Sequence, residues 1–119
     1  MKSTTVYAST ARTATPTAVT VQARRYNYLR VVIDVTAIAS TPSVVCTIDG
    51  QSPTSGKYYT MLTAAAVTAT GTTVLKVGPG MPVTANVSAN DVLPDTIRIT
   101  MTHGNGNSIT YTVAAELMD

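Results

Sequence analysis

"TIRITMTHGNGNSITYTVAAEL", residues 96–117, decides the fold class. Ile97, Ile99 and Met101 alternate with Arg98, Thr100 and Thr102. After His103-Gly104-Asn105-Gly106-Asn107 the alternation resumes through Ile109, Tyr111, Val113, Ala115 and Leu117. A period of two puts successive side chains on opposite faces of a pleated strand, so each run reads as a strand with one buried face. Asn-Gly between two such runs is a strong turn signal, and the pair is expected to form an antiparallel hairpin.

The same period recurs upstream. Val19 and Val21 alternate with Thr20 and Gln22, and Leu29, Val31, Ile33 and Val35 alternate with Arg30, Val32, Asp34 and Thr36. Ser40-Thr41-Pro42 closes that run, and Val44–Asp49, Tyr58–Ala64 and Thr72–Val77 follow as further strands. Met61–Val67 could form a helix on propensity alone, but the threonines around it favour a strand that runs into a turn at Gly71. Gly78-Pro79-Gly80-Met81-Pro82 cannot sit inside a paired ladder, Ala85–Ala89 is a weak short strand, and Asn90–Asp95 is a loop. Strands separated by turns, with no convincing helix, predict an all-β chain: a single β-sandwich of jelly-roll or immunoglobulin-like Greek-key type. The sandwich spans residues 19–119. Residues 1–18, small and polar, are expected to form an extended N-terminal arm with little to anchor it in a core, ordered on a neighbour or along the domain's edge.

The chain has 119 residues, enough for one domain that buries roughly two-thirds of its unfolded surface. It contains no Phe and no Trp, so the core must come from Val, Ile, Leu, Met, Ala and Tyr and is expected to be thin. Charged residues make up 12%, about half the usual share, with Thr and Ser in their place. Such a surface suits a protein held in an assembly, and self-association into a homo-oligomer such as a trimer would add buried area. A net charge of +2 is too small and scattered for a nucleic-acid footprint. No apolar run predicts a membrane span or a leader, so the chain reads as made and folded in a cytosol.

Side chains capable of chemistry are few. Cys46, the only cysteine, lies in the apolar run Val44–Ile48 and reads as a buried thiol. His103, the only histidine, reads as a surface residue of the last turn, with no sign of the carboxylate and nucleophile a triad requires. Asn90, Asp91 and Asp95 are too few oxygen donors for calcium, which takes six to eight ligands. No phosphate loop, zinc motif or nucleophile elbow is present, so no enzyme, metal or cofactor is expected. Two stretches combine features of contact surfaces. Arg24-Arg25-Tyr26-Asn27-Tyr28 joins charge to aromatic rings, and reads as contacts to a protein partner, as a platform for a base or sugar, or as an exposed strand end with the Arg stems lying over the sheet. "IDGQSPTSGKYYTML", residues 48–62, reads as a hairpin whose Tyr58 and Tyr59 point to opposite faces, one into the core and one outward.

Leu29–Ala37, "TPSVVCTIDGQSPTSGKYYTML" (41–62), "GTTVLKVGPG" (71–80) and "ANDVLPDTIRITMTHGNGNSITYTVAAEL" (89–117) together resemble a family of small proteins encoded in tailed-bacteriophage genomes. The likeness covers most of the domain through structural motifs: an Asp-Gly turn, Pro-x-Ser-Gly-Lys-Tyr-Tyr, a Gly-bounded strand and Asn-Asp-x-Leu-Pro. Members resemble virion structural components and bring no catalytic residues. Together with the small all-β domain, the low charge and the arm, the resemblance points to a capsid decoration or cement protein bound to the major capsid protein at the capsid surface; Arg24, Arg25, Tyr26, Tyr28, Tyr58 and Tyr59, read from their residue types, are the candidate contacts. The alternatives are a low-copy tail, neck or fibre component, or a carbohydrate-binding adhesin module.

Overall fold

Alternating β-branched residues cannot bury one face in isolation, and here two sheets cover each other. The computed structural model describes all 119 residues and contains nine strands: β1 Lys2–Arg12, β2 Val19–Gln22, β3 Tyr28–Ile38, β4 Val44–Gln51, β5 Tyr58–Thr63, β6 Gly71–Gly78, β7 Ser88–Asn90, β8 Thr96–His103 and β9 Ile109–Met118. One sheet has the order β1-β9-β3-β6-β7 and the other β2-β8-β4-β5. Every adjacent pair is antiparallel except β6–β7. None of these elements is a helix, so no helix is long and apolar enough to cross a membrane.

Apart from the three-residue β7, the strand partners nest: β4 with β5, β3 with β6, β2 with β8 and β1 with β9. Each successive pair lies further apart in sequence, and the pairs alternate between the two sheets. That nesting is the jelly-roll form of the β-sandwich.

The expected hairpin between β8 and β9 does not exist. The two strands lie in different sheets, β8 between β2 and β4, and β9 between β1 and β3. A two-residue type I′ turn needs positive φ at both central residues, and neither Gly104 nor Gly106 has it. The connection instead arches over the end of the sandwich. The side-chain amides of Asn105 and Asn107 donate to the carbonyl of Thr41 at 2.9 and 3.1 Å, and the Gly104 N–H donates to the carbonyl of Ser43 at 2.8 Å. The true hairpin is β4–β5, in which Gln51 opposes Tyr58. Its loop is closed by Gly56 at φ 74°, a left-handed conformation that costs glycine little.

Between the sheets lie Leu29, Val31, Ile33 and Val35 of β3, Leu75 and Val77 of β6, and all five alternating residues Ile109–Leu117 of β9. They meet Val44, Cys46 and Ile48 of β4 and Ile97, Ile99 and Met101 of β8. Each fully buried Val, Ile or Leu contributes roughly 1.5–3 kcal/mol. Tyr111 is the largest fully buried side chain, filling the place a Phe or Trp would take in another core. Burial pushes the Cys46 thiol up to about 12, which keeps it protonated and unreactive at neutral pH.

Lys2–Arg12 form an edge strand of the five-stranded sheet, and the expectation that residues 1–18 form an arm that carries little to anchor a core is corrected. Lys2–Arg12 is β1, paired along β9 from Lys2–Leu117 to Arg12–Ile109, and Val6 and Tyr7 belong to the core. Two neighbouring residues can both turn inward because the register shifts between Thr5 and Tyr7 and again between Tyr7 and Thr10. The Tyr7 hydroxyl donates to the carbonyl of Thr17 at 2.7 Å and lies 3.2 Å from that of Ile99, tying β1 to β8 across the sandwich.

Candidate functional site

Strand direction determines which loops meet. Because β3 starts where β6 and β9 finish, and β5 and β8 start where β4 finishes, the connections 23–27, 52–57 and 91–95 gather at one end. The connections 13–18, 39–43, 64–70 and 104–108 gather at the other. Arg24, Arg25, Tyr26, Tyr28, Tyr58 and Tyr59, separate in sequence, therefore share the first end. Its loops also carry Lys57, Asp91 and Asp95, whereas the four connections at the opposite end contain no Lys, Arg, Asp or Glu.

Ala23 is fixed by its N–H to the carbonyl of Asp95 at 2.7 Å, and the chain turns back through Tyr26 N–H to the carbonyl of Ala23 at 3.0 Å. This tight turn holds Arg25 at φ 75° and leaves Arg24 and Arg25 exposed at its tip. A non-glycine residue in that region is uncommon and marks a constrained tip. Tyr26 leans back onto the core, half-buried. Tyr28 opens β3 and lies flat over Gly78, where an added Cβ would come within 2.2 Å of the Tyr28 ring, so the residue there must be glycine for the ring to keep this pose.

The two adjacent tyrosines depart from expectation, since neither enters the core. Tyr58 lies on the outer face of the four-stranded sheet, 3.8 Å from its ring centroid to the guanidinium carbon of Arg98. Arg98 in turn donates through Nη2 and Nε to Asp49 Oδ2 at 2.9 and 3.2 Å, and Asp49 is buried beneath this stack. Tyr59 is on the inner side but beyond the end of the core. It covers Gly50 beside Pro94, where a Cβ on Gly50 would lie 2.7 Å from the ring, and it remains 45% exposed. The alternation rule held, but β5 lies at the edge of its sheet, where the inner side is already rim.

Arg98, Asp49, Gly50, Gly78 and Pro94 were not read from sequence as parts of a site. Arg98 and Asp49 occupy outward positions of two alternating strands, and only the register that pairs them makes them partners. No group of three or more His, Cys, Asp or Glu side chains is arranged to hold a metal ion.

A second polar cluster sits toward the opposite end. His103 is not a surface turn residue: it ends β8, half-buried, with Nε2 3.0 Å from the Tyr111 hydroxyl and Nδ1 buried without a protein partner. The arched β8–β9 connection folds its ring over Tyr111, where a hairpin would have left it in solvent. Arg12 packs against the same tyrosine, 4.6 Å from its ring centroid, and donates to the carbonyls of Ala8 and Tyr111 at 2.7 and 3.1 Å, closing the irregular stretch of β1. Burial raises Tyr7 and, to about 12, Tyr111. His103 is lowered from its ordinary 6.5 by burial and by Arg12.

A lowered histidine has a definite sign: between the unfolded and the folded pKa the unfolded chain binds the extra proton, so stability falls as pH drops below 6.5. Urea unfolding at pH 5.0 is expected to show a lower midpoint than at pH 7.5. His103→Gln should flatten that slope if the histidine carries it, and an unchanged slope would assign it to other groups.

Compared with protein-family models, curated proteins and solved structures, the chain matches none.

Proposed function

We propose that this chain is a virion structural protein of a tailed bacteriophage, a capsid decoration or cement protein that binds the major capsid protein and stabilises the shell. The reading begins from the resemblance described above. The geometric observation that carries it is the convergence of Arg24, Arg25, Tyr26, Tyr28, Tyr58 and Tyr59 on one end of a rigid sandwich. Such residues at the rim of a small domain make anchors for a protein surface. Jelly rolls occur in viral capsid and lectin domains alike, so the fold agrees with this role without specifying it. The mechanism is added buried area at capsid subunit junctions, repeated over the particle, which resists the pressure of packaged DNA.

Quantitative mass spectrometry of purified particles tests the proposal. A ratio to the major capsid protein close to one is expected. A handful of copies would assign the chain to the tail, neck or fibre, and absence from particles would overturn the virion role. Arg24→Glu with Arg25→Glu should weaken capsid binding by roughly tenfold or more while leaving thermal stability unchanged, because both residues are exposed.

A second reading, a carbohydrate-binding adhesin module, is favoured by one observation: the exposed Tyr59 ring beside Pro94 offers a flat face to a sugar. Binding on a glycan array that is lost in Tyr59→Ala would favour it over the capsid role.

A further inference from the structure

The outer face of the five-stranded sheet carries an ordered pattern that neither cluster uses. Three cross-strand rows follow from the register. Ser3, Glu116, Arg30 and Lys76 form the first, and Thr5, Ala114, Val32 and Val74 the second. Thr112, Asp34 and Thr72 form the third. The middle row is apolar on β9, β3 and β6, and Val74 is 36% exposed. Val87, 44% exposed, joins Val32 and Val74 in lining an open hollow of about 570 Å³ between Arg30, Lys76 and Glu116. Partly exposed valines at outward sheet positions, with Val87 of the adjoining turn beside them, stand out in a chain whose outward positions are otherwise threonine-rich, and make this face a candidate contact surface.

The charges on either side of the valines indicate the occupant. Arg30 and Lys76 lie on one side of the apolar row, and Asp34 lies on the other, two residues further along β3 from Val32. We propose that this face binds a second copy of the chain, in a dimer whose twofold axis runs along the apolar row. Rotation about that axis sets Val32, Val74 and Ala114 against their own copies. It also carries Asp34 of each protomer over Arg30 of the other, with Lys76 beside it. The surface is thus complementary to itself in charge, as an isologous contact requires. Two sheet faces packed this way keep their strands roughly aligned, within about 30°. Arg30 already pairs with Glu116 and Asp34 already accepts from the Thr72 hydroxyl at 3.2 Å, so the charged groups are held in position before association. This dimer does not rest on the capsid reading; of the six candidate contacts only Tyr28 shares its face, two residues before Arg30 on β3.

Sedimentation equilibrium on the purified full chain is the test, with circular dichroism on each variant to confirm folding. The wild type is expected to be a dimer, and Val74→Asp should raise the dissociation constant at least tenfold. Asp34→Arg alone sets the introduced guanidinium against Arg30 across the axis, and Arg30→Asp alone sets the introduced carboxylate against Asp34. Each variant by itself should therefore be monomeric. Mixed in equal amounts they should form a heterodimer, because both cross-pairs are then of opposite sign. A monomeric wild type, a trimer, or a dimer indifferent to Val74→Asp would overturn the proposal, as would a mixture of the charge variants that stays monomeric.

Discussion

Deleting residues 1–12 is expected to abolish folding of the chain. The segment reads as a dispensable arm in sequence, but it supplies an entire strand and two core side chains, Val6 and Tyr7. Truncating a buried aromatic residue costs about 3–5 kcal/mol and a buried valine somewhat less. Loss of β1 also strips the hydrogen-bonding edge of β9 and uncovers Tyr111, which Tyr7 meets edge-on with ring centroids 6.4 Å apart. Against a typical domain stability of about 5–15 kcal/mol, these losses together exceed what a core without Phe or Trp can absorb. Far-UV circular dichroism and size-exclusion chromatography of the shortened chain should show unfolded or aggregated material. Tyr7→Ala gives a graded version, about 3 kcal/mol less stable in urea. A truncated chain that unfolds cooperatively at an unchanged midpoint would show that β1 is accessory.

Tyr111→Ala is the second large effect, about 4 kcal/mol. Tyr111 is fully buried and meets Tyr7, His103 and the Arg12 guanidinium at once, so its removal opens a cavity where these three side chains converge. Tyr111→Phe keeps the ring and removes only the hydroxyl partner of His103 Nε2, for which about 1–2 kcal/mol is expected. Tyr59→Ala, which removes a half-exposed ring packed over Gly50 and Pro94, should cost roughly 1 kcal/mol. Chemical unfolding of the three variants in parallel tests this ranking. If Tyr111→Ala costs no more than Tyr59→Ala, the cluster around Tyr111 does not hold the core together.

The inward faces of β3, β8 and β9 were legible because period-two alternation is a local property, set by burial of one face alone. Their partners were not. An Asn-Gly turn between two alternating runs looks the same whether the strands pair with each other or belong to opposite sheets, and only the competing partners β4 and β1 decide. Strand β1 escaped notice because its two register shifts break the period, leaving Val6 and Tyr7 adjacent where an alternating core residue was sought. At the candidate site, the tyrosines and arginines were visible as residue types. The glycines beneath their rings and the Arg98–Asp49 pair were not, since those depend on which strands are neighbours.

The position of β9 bears on how the chain is made. It lies between β1 and β3 in the finished sheet, yet it is the last of the nine strands to leave the ribosome. During synthesis β1 waits for a partner about a hundred residues downstream, and only the β4–β5 hairpin and the short β6–β7 pair can close from nearby segments. Contacts between distant residues slow folding into the millisecond-to-second range. For that interval the inner faces of β1 and β3 lack the strand that joins them, and aggregation competes with closure. Synthesis rate and chaperone supply should therefore govern the yield of this protein more than its final stability does, and slowing release of the C-terminal strand should lower it.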